Sequence, residues 1–96
     1  MTALSQLLEA GRRHQQAGDL AQAEQAFRQA LEADPSRAEV WHCLGTVYQG
    51  RGRPAEALAS YRAALRLEPG LAAVHNSLGI VLVQQRDLAG AVAGFR

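Results

Sequence analysis

The sequence predicts an all-α solenoid of stacked antiparallel helix pairs, about three units long with the last one cut short. Three observations carry that reading. Small residues and aromatics return at a fixed step of 34: Ala23, Ala57 and Ala91, then Phe27, Tyr61 and Phe95. Glycines return at the same step, at Gly11, Gly45 and Gly79. Pro35 and Pro69 mark the same point in successive copies. A period of this length means one supersecondary unit copied and stacked, each unit burying its apolar face against its neighbour.

The copies run over residues 4–37, 38–71 and 72–96, within a single domain covering residues 1–96. The glycines sit inside apolar helical stretches, where Gly costs about 1 kcal/mol relative to Ala. That cost recurring at one register predicts a close helix crossing with no room for a Cβ. Ala23, Ala57 and Ala91 are the matching small residues on the second helix, and the repeated aromatics with Trp41 fill the space beside them.

Helices are expected near residues 4–17, 20–33, 37–50, 54–67, 71–84 and 88–96. Gly18-Asp19 gives a stop followed by a fresh N-cap. Asp34-Pro35 ends the second helix, because Pro disfavours helix in the residue before it. Ser36-Arg37-Ala38-Glu39 reads as a capping box, with the Ser36 hydroxyl accepting from the Glu39 amide and the Glu39 carboxylate from the Ser36 amide. Pro54, just after Gly52, fits a first helical position.

Composition narrows the function. Ten arginines balance nine acids, with no lysine, for a formal charge of +1. These charges are spread along the chain rather than gathered into a phosphate-neutralising block, so neither nucleic acid nor a membrane surface is an expected partner. A single cysteine, Cys43, cannot close an internal disulfide, and the first residues lack the basic segment and apolar core of a signal peptide. No apolar run reaches the roughly 18 residues that suggest a bilayer span. A soluble, cytoplasmic protein is the expectation.

No active site is expected either. His42 and Cys43 are adjacent, so on a helix they point about 100° apart. Metal-ligand spacings of the Cys-x2-Cys or His-x3-His kind are missing. Glu39 and His42 have a Glu-x2-His spacing without the second such motif that a di-iron bundle requires. Gly50-Arg51-Gly52 lies between helices and lacks the lysine and strand of a phosphate loop. His75 takes the register of Trp41 and reads as a packing residue. The expectation is a noncatalytic protein with no metal and no cofactor.

The second copy carries Trp41, Leu44, Gly45, Tyr48, Ala57, Tyr61, Ala64 and Pro69. That series resembles the tetratricopeptide repeat, W-x2-L-G-x2-Y followed by A-x3-F-x2-A and P, with Tyr61 standing for the Phe. The first copy has Leu7, Ala10 and His14 at departing positions and keeps Gly11, Ala23, Phe27, Ala30 and Pro35. The third has His75 and Leu82 in place of Trp and Tyr, and keeps Leu78, Gly79, Ala91 and Phe95.

The resemblance implies a right-handed superhelix whose first helices line a concave groove that binds an extended peptide or a partner helix. It places Ser5, Leu8, Glu9, Arg12, Gln15 and Gln16 in that groove. From the second copy come Glu39, His42, Cys43, Thr46, Gln49 and Gly50. Ala73, Asn76, Ser77, Ile80, Val83 and Gln84 follow from the third. Arg12, His42, Gln49 and Asn76 are the strongest candidate contributors. The carboxylate clamp of chaperone-binding relatives maps to Leu8, Arg12, Cys43, Ala73 and Ser77, of which Arg12 alone has suitable chemistry. The asparagine ladder of glycosyltransferase-linked arrays maps to Glu9, Cys43 and Ser77, with Asn76 one place off.

The third copy stops just after Phe95, so the chain reads as a fragment or as a module that uses an open end. Exposed Leu82, Leu88, Val92 and Phe95 would then support a homodimer. A regulatory or substrate-presenting segment of a larger enzyme, such as a glycosyltransferase, is the alternative, and self-association as the role itself is a third.

Overall fold

The computed structural model describes the backbone of residues 3–94 and the side chains of residues 3–86. The side chains of Leu88 and Val92, and all of Phe95, lie outside the described residues. The chain forms α1 (Ala3–Gln16), α2 (Leu20–Ala33), α3 (Ala38–Gly50), α4 (Pro54–Leu67) and α5 (Ala72–Gly94). Each helix packs on the next, and α3 also touches α5. The stack measures 54 × 29 × 18 Å, the elongated shape expected when each unit contacts only its neighbours.

Two of the three recurring glycines, Gly11 and Gly45, do what the spacing predicts, whereas a Cβ on Gly79 would meet nothing within 4 Å among the described residues. A Cβ on Gly11 would stand 2.6 Å from the Phe27 ring, and one on Gly45 2.5 Å from the Tyr61 ring. Both rings are fully buried, as are Ala23 and Ala57. Burying a large apolar side chain contributes about 1.5–3 kcal/mol, so the first two repeats are each held where an aromatic covers a bare helix backbone. Pro54 begins α4, as its fixed φ favours.

The turns inside the first two copies are alike and explain the third. Gly18 (φ 80°) and Gly52 (φ 72°) occupy the left-handed region. Around Gly18, the Gly18 and Asp19 amides donate to the Gln15 and His14 carbonyls; around Gly52, the Gly52 and Arg53 amides donate to those of Gln49 and Tyr48. This is the Schellman ending, which requires a residue tolerant of positive φ. The same register in the third copy holds Arg86, whose Cβ opposes that conformation. The expected break between residues 84 and 88 is accordingly missing, and α5 runs unbroken for 23 residues. The sixth helix expected at 88–96 is, through Gly94, a continuation of α5.

One consequence is exposure. Leu44 and Tyr48 are 3% and 8% exposed beneath α4, whereas their third-copy counterparts differ: Leu78 is half-buried and Leu82 is 43% exposed.

The capping box is not formed. Asp34 Oδ1 accepts from both the Ser36 amide (3.1 Å) and the Ser36 hydroxyl, a turn that competes for the capping side chain. These bonds hold the Asp34 carboxyl below its ordinary pKa. Arg37 becomes the N-cap of α3 without a side-chain bond, and Glu39 turns instead toward Arg12 and Arg37, 3.7 Å from each. His75 does replace Trp41 in function as well as register. The Trp41 indole Nε1 donates to the Pro35 carbonyl (2.9 Å), and His75 Nε2 donates to the Pro69 carbonyl (2.7 Å).

Candidate functional site

Helices α1, α3 and α5 are the first helices of the three copies, and polar side chains link them. Arg12 on α1 reaches Glu39 on α3, with both side chains more than half exposed. An ion pair this exposed contributes under about 1 kcal/mol. From α3 to α5 the links recur at an offset of 35 residues: His42 Nε2 lies 3.2 Å from Ser77 Oγ, and Gln49 Nε2 donates to Gln84 Oε1 at 3.3 Å. That offset is one repeat plus one residue.

Tyr61 supports this surface from beneath. Its hydroxyl donates to Gln49 Oε1 (3.0 Å) and lies 3.3 Å from Thr46 Oγ1, which itself donates to the His42 carbonyl. The His42 and Tyr61 rings sit 5.7 Å apart, tilted by 57°. A Tyr61-to-Gln49-to-Gln84 relay of hydrogen bonds therefore fixes two side-chain amides at the surface.

Two groups here titrate away from their ordinary values. Burial lowers the His42 imidazole, favouring the neutral ring. It raises the Cys43 thiol, against an opposing pull from Arg12. A thiol held protonated is a poor nucleophile.

The structure thus brings Arg12, Glu39, His42, Cys43, Thr46, Gln49 and Ser77 together on neighbouring helices. Glu9, Gln16, Asn76 and Ile80 stand exposed outside that network, on α1 and α5. Sequence reading assigned Tyr61 to packing alone and ranked Gln84 below Asn76. The signal that finds both is a polar pair at the 35-residue offset above a buried tyrosine.

A larger recess, of about 570 Å³, opens elsewhere, between α2, α3 and α4. Leu31, Trp41, Leu44 and Tyr48 line it together with Arg28, Glu32, Glu56 and Arg66. Among the described residues no three His, Cys, Asp or Glu side chains gather as a metal site, and no helix is long and apolar enough to cross a membrane.

Two tetratricopeptide repeat models match the chain, over residues 4–47 and 38–71. The chain belongs to the tetratricopeptide repeat family. Tetratricopeptide repeats are in general protein–protein interaction modules and are typically noncatalytic, so the expected partner is a protein. The matches end at residue 71, at the threshold of α5, where the glycine turn is lost. No curated protein matches the chain.

Proposed function

We propose that the surface of α1, α3 and α5 is a peptide-binding groove, engaging an extended, largely uncharged segment of a partner protein. The observation that carries this is the Tyr61–Gln49–Gln84 relay, which holds two amides in fixed orientation at almost no further ordering cost on binding. Arg12 and Glu39 offset one another's charge at one end, while Ile80 and Val83 offer apolar contact at the other. His42, Cys43, Thr46, Ser77 and Asn76 lie between.

Selection from a displayed random-peptide library supplies ligands for the test. Thr46→Arg places a bulky cation at an exposed position mid-groove and is expected to weaken selected peptides at least tenfold. Gln29→Arg, on the exposed face of α2, is expected to leave them unchanged. Equal affinities for the two variants would remove the groove from consideration.

A second reading, self-association through the third copy, is favoured by the exposure of Leu82, Ile80 and Val83 on α5.

A further inference from the structure

The Tyr61–Gln49–Gln84 relay has a direction as well as a position. The Tyr61 residue is fully buried, so its hydroxyl hydrogen has to find a protein acceptor. Two oxygens are within reach, Gln49 Oε1 at 3.0 Å and Thr46 Oγ1 at 3.3 Å. Thr46 places its own hydrogen on the His42 carbonyl at 3.1 Å and makes the longer contact with Tyr61. Tyr61 therefore donates to Gln49, and the Gln49 oxygen is held inward.

A side-chain amide accepts on its oxygen and donates from its nitrogen. With its oxygen turned to Tyr61, Gln49 turns its nitrogen toward α5 and donates to Gln84 Oε1 at 3.3 Å. Gln84 is thereby set in the same sense, oxygen toward α3 and nitrogen away. Gln84 is exposed, and its Nε2 meets no acceptor among the described residues. Each amide nitrogen carries two hydrogens, so both hydrogens of Gln84 and one of Gln49 are left for a ligand. The relay starts on a buried phenol and ends on N–H. Residues 40–50 of α3 and 72–85 of α5 contain no Asp, Glu, Lys or Arg. An ionised ligand group taken out of water over these segments finds no opposite charge on them, whereas a neutral carbonyl needs only the N–H.

Resting on the peptide-groove reading above, we propose that Gln84 determines specificity by donating to an uncharged backbone carbonyl of the bound segment. Gln49 and Tyr61 are the positioning residues that set it. A segment that turns an N–H toward this point brings hydrogen against hydrogen and is rejected, the repulsive half of specificity. The relay also fixes how its direction is reversed. Glutamate at position 49 still accepts from Tyr61 but has no hydrogen for Gln84. Gln84 then turns its nitrogen inward to the new carboxylate and its oxygen outward, and the site presents an acceptor.

The test uses peptides selected on the wild-type chain, made with both ends capped, and titrated by calorimetry into variants of unchanged helix content. Gln84→Met keeps the length and removes the donor, and is expected to weaken binding about threefold. Gln84→Glu sets acceptor against acceptor and is expected to weaken it about tenfold or more. In wild-type chain the Gln84 side-chain NH2 resonances are expected to shift on peptide addition, and in Gln49→Glu to stop responding. Thr46→Arg, run alongside, reports on the groove itself. If Thr46→Arg weakens binding while Gln84→Glu binds as tightly as Gln84→Met or tighter, the groove stands and the donor assignment falls. Gln84 resonances that respond alike in wild type and Gln49→Glu would overturn the positioning role of the relay. Binding unaffected by Thr46→Arg would remove the groove, and this inference with it.

Discussion

The Tyr61 ring stands where a Cβ on Gly45 would be, 2.5 Å from its Cε1. Phe27 has the same relation to Gly11, so two repeats close by one device. Alanine at either glycine gains about 1 kcal/mol of helix propensity and forces a fully buried ring to move, which costs roughly 1–3 kcal/mol. Gly11→Ala and Gly45→Ala are expected to lower stability, by up to about 2 kcal/mol. Gly79→Ala, with open space above it, is expected to be neutral or stabilising in dilute solution. Urea unfolding of the three variants decides; equal losses at all three positions would refute the packing role.

Glu24 ties the first repeat to the second. Its buried carboxylate accepts from Arg51 at 2.7 Å and from Arg28 at 3.3 Å, and lies 3.7 Å from Arg53. Arg51 and Arg53 flank the glycine of the α3–α4 turn, so this one acid anchors that turn to α2. Glu24→Gln is expected to cost about 1.5–3 kcal/mol, the range of hydrogen bonds to charged groups. Chemical denaturation measures it, with Glu56→Gln, whose ion pair with Arg53 is exposed, as the comparison expected to change little.

Acid sensitivity should have two stages. Burial lowers the folded-state pKa of His42 from its ordinary 6.5. Above that value the ring is neutral in both states and contributes nothing to pH dependence. As pH falls through 6.5 the unfolded chain binds the proton first, so stability declines until the folded-state value is passed. Asp34, held below its ordinary 3.8 by Ser36, contributes stability that is present above that value and lost only at lower pH. His42→Gln is expected to flatten the decline that begins as pH falls through 6.5 and to leave the Asp34 stage in place. An unchanged slope in urea midpoints would show that His42 is not its source.

How far the sequence reveals this molecule depends on whether a signal is local or crosses repeats. The glycine–aromatic spacing, the Pro54 start and the turns at Gly18 and Gly52 are legible because each depends on backbone geometry within one unit. The unbroken α5 was legible in principle from Arg86, but extrapolating the period obscured that one missing glycine. Ser36 and Glu39 match a capping box as letters; Asp34, two residues before Ser36, captures the serine instead. The Glu24 cluster joins residues 27 and 29 positions apart, a contact that no helical spacing announces. At the candidate site, family register sets His42, Thr46 and Gln49 on one face of α3, while the Tyr61 hydroxyl beneath them emerges only from three-dimensional packing.

The proposed groove on α1, α3 and α5 and the recess between α2, α3 and α4 are two candidate surfaces, and one measurement separates them. Amide and side-chain chemical shifts of the labelled protein are followed while a selected peptide is titrated in. Perturbations at Arg12, His42, Thr46, Gln49 and Ser77, with Arg28, Glu32, Ala59 and Arg66 unmoved, are the expected result. Perturbations gathered at Trp41, Tyr48, Ala59 and Arg66, with the Gln49 and Gln84 amides unmoved, would contradict the groove and assign binding to the opposite recess.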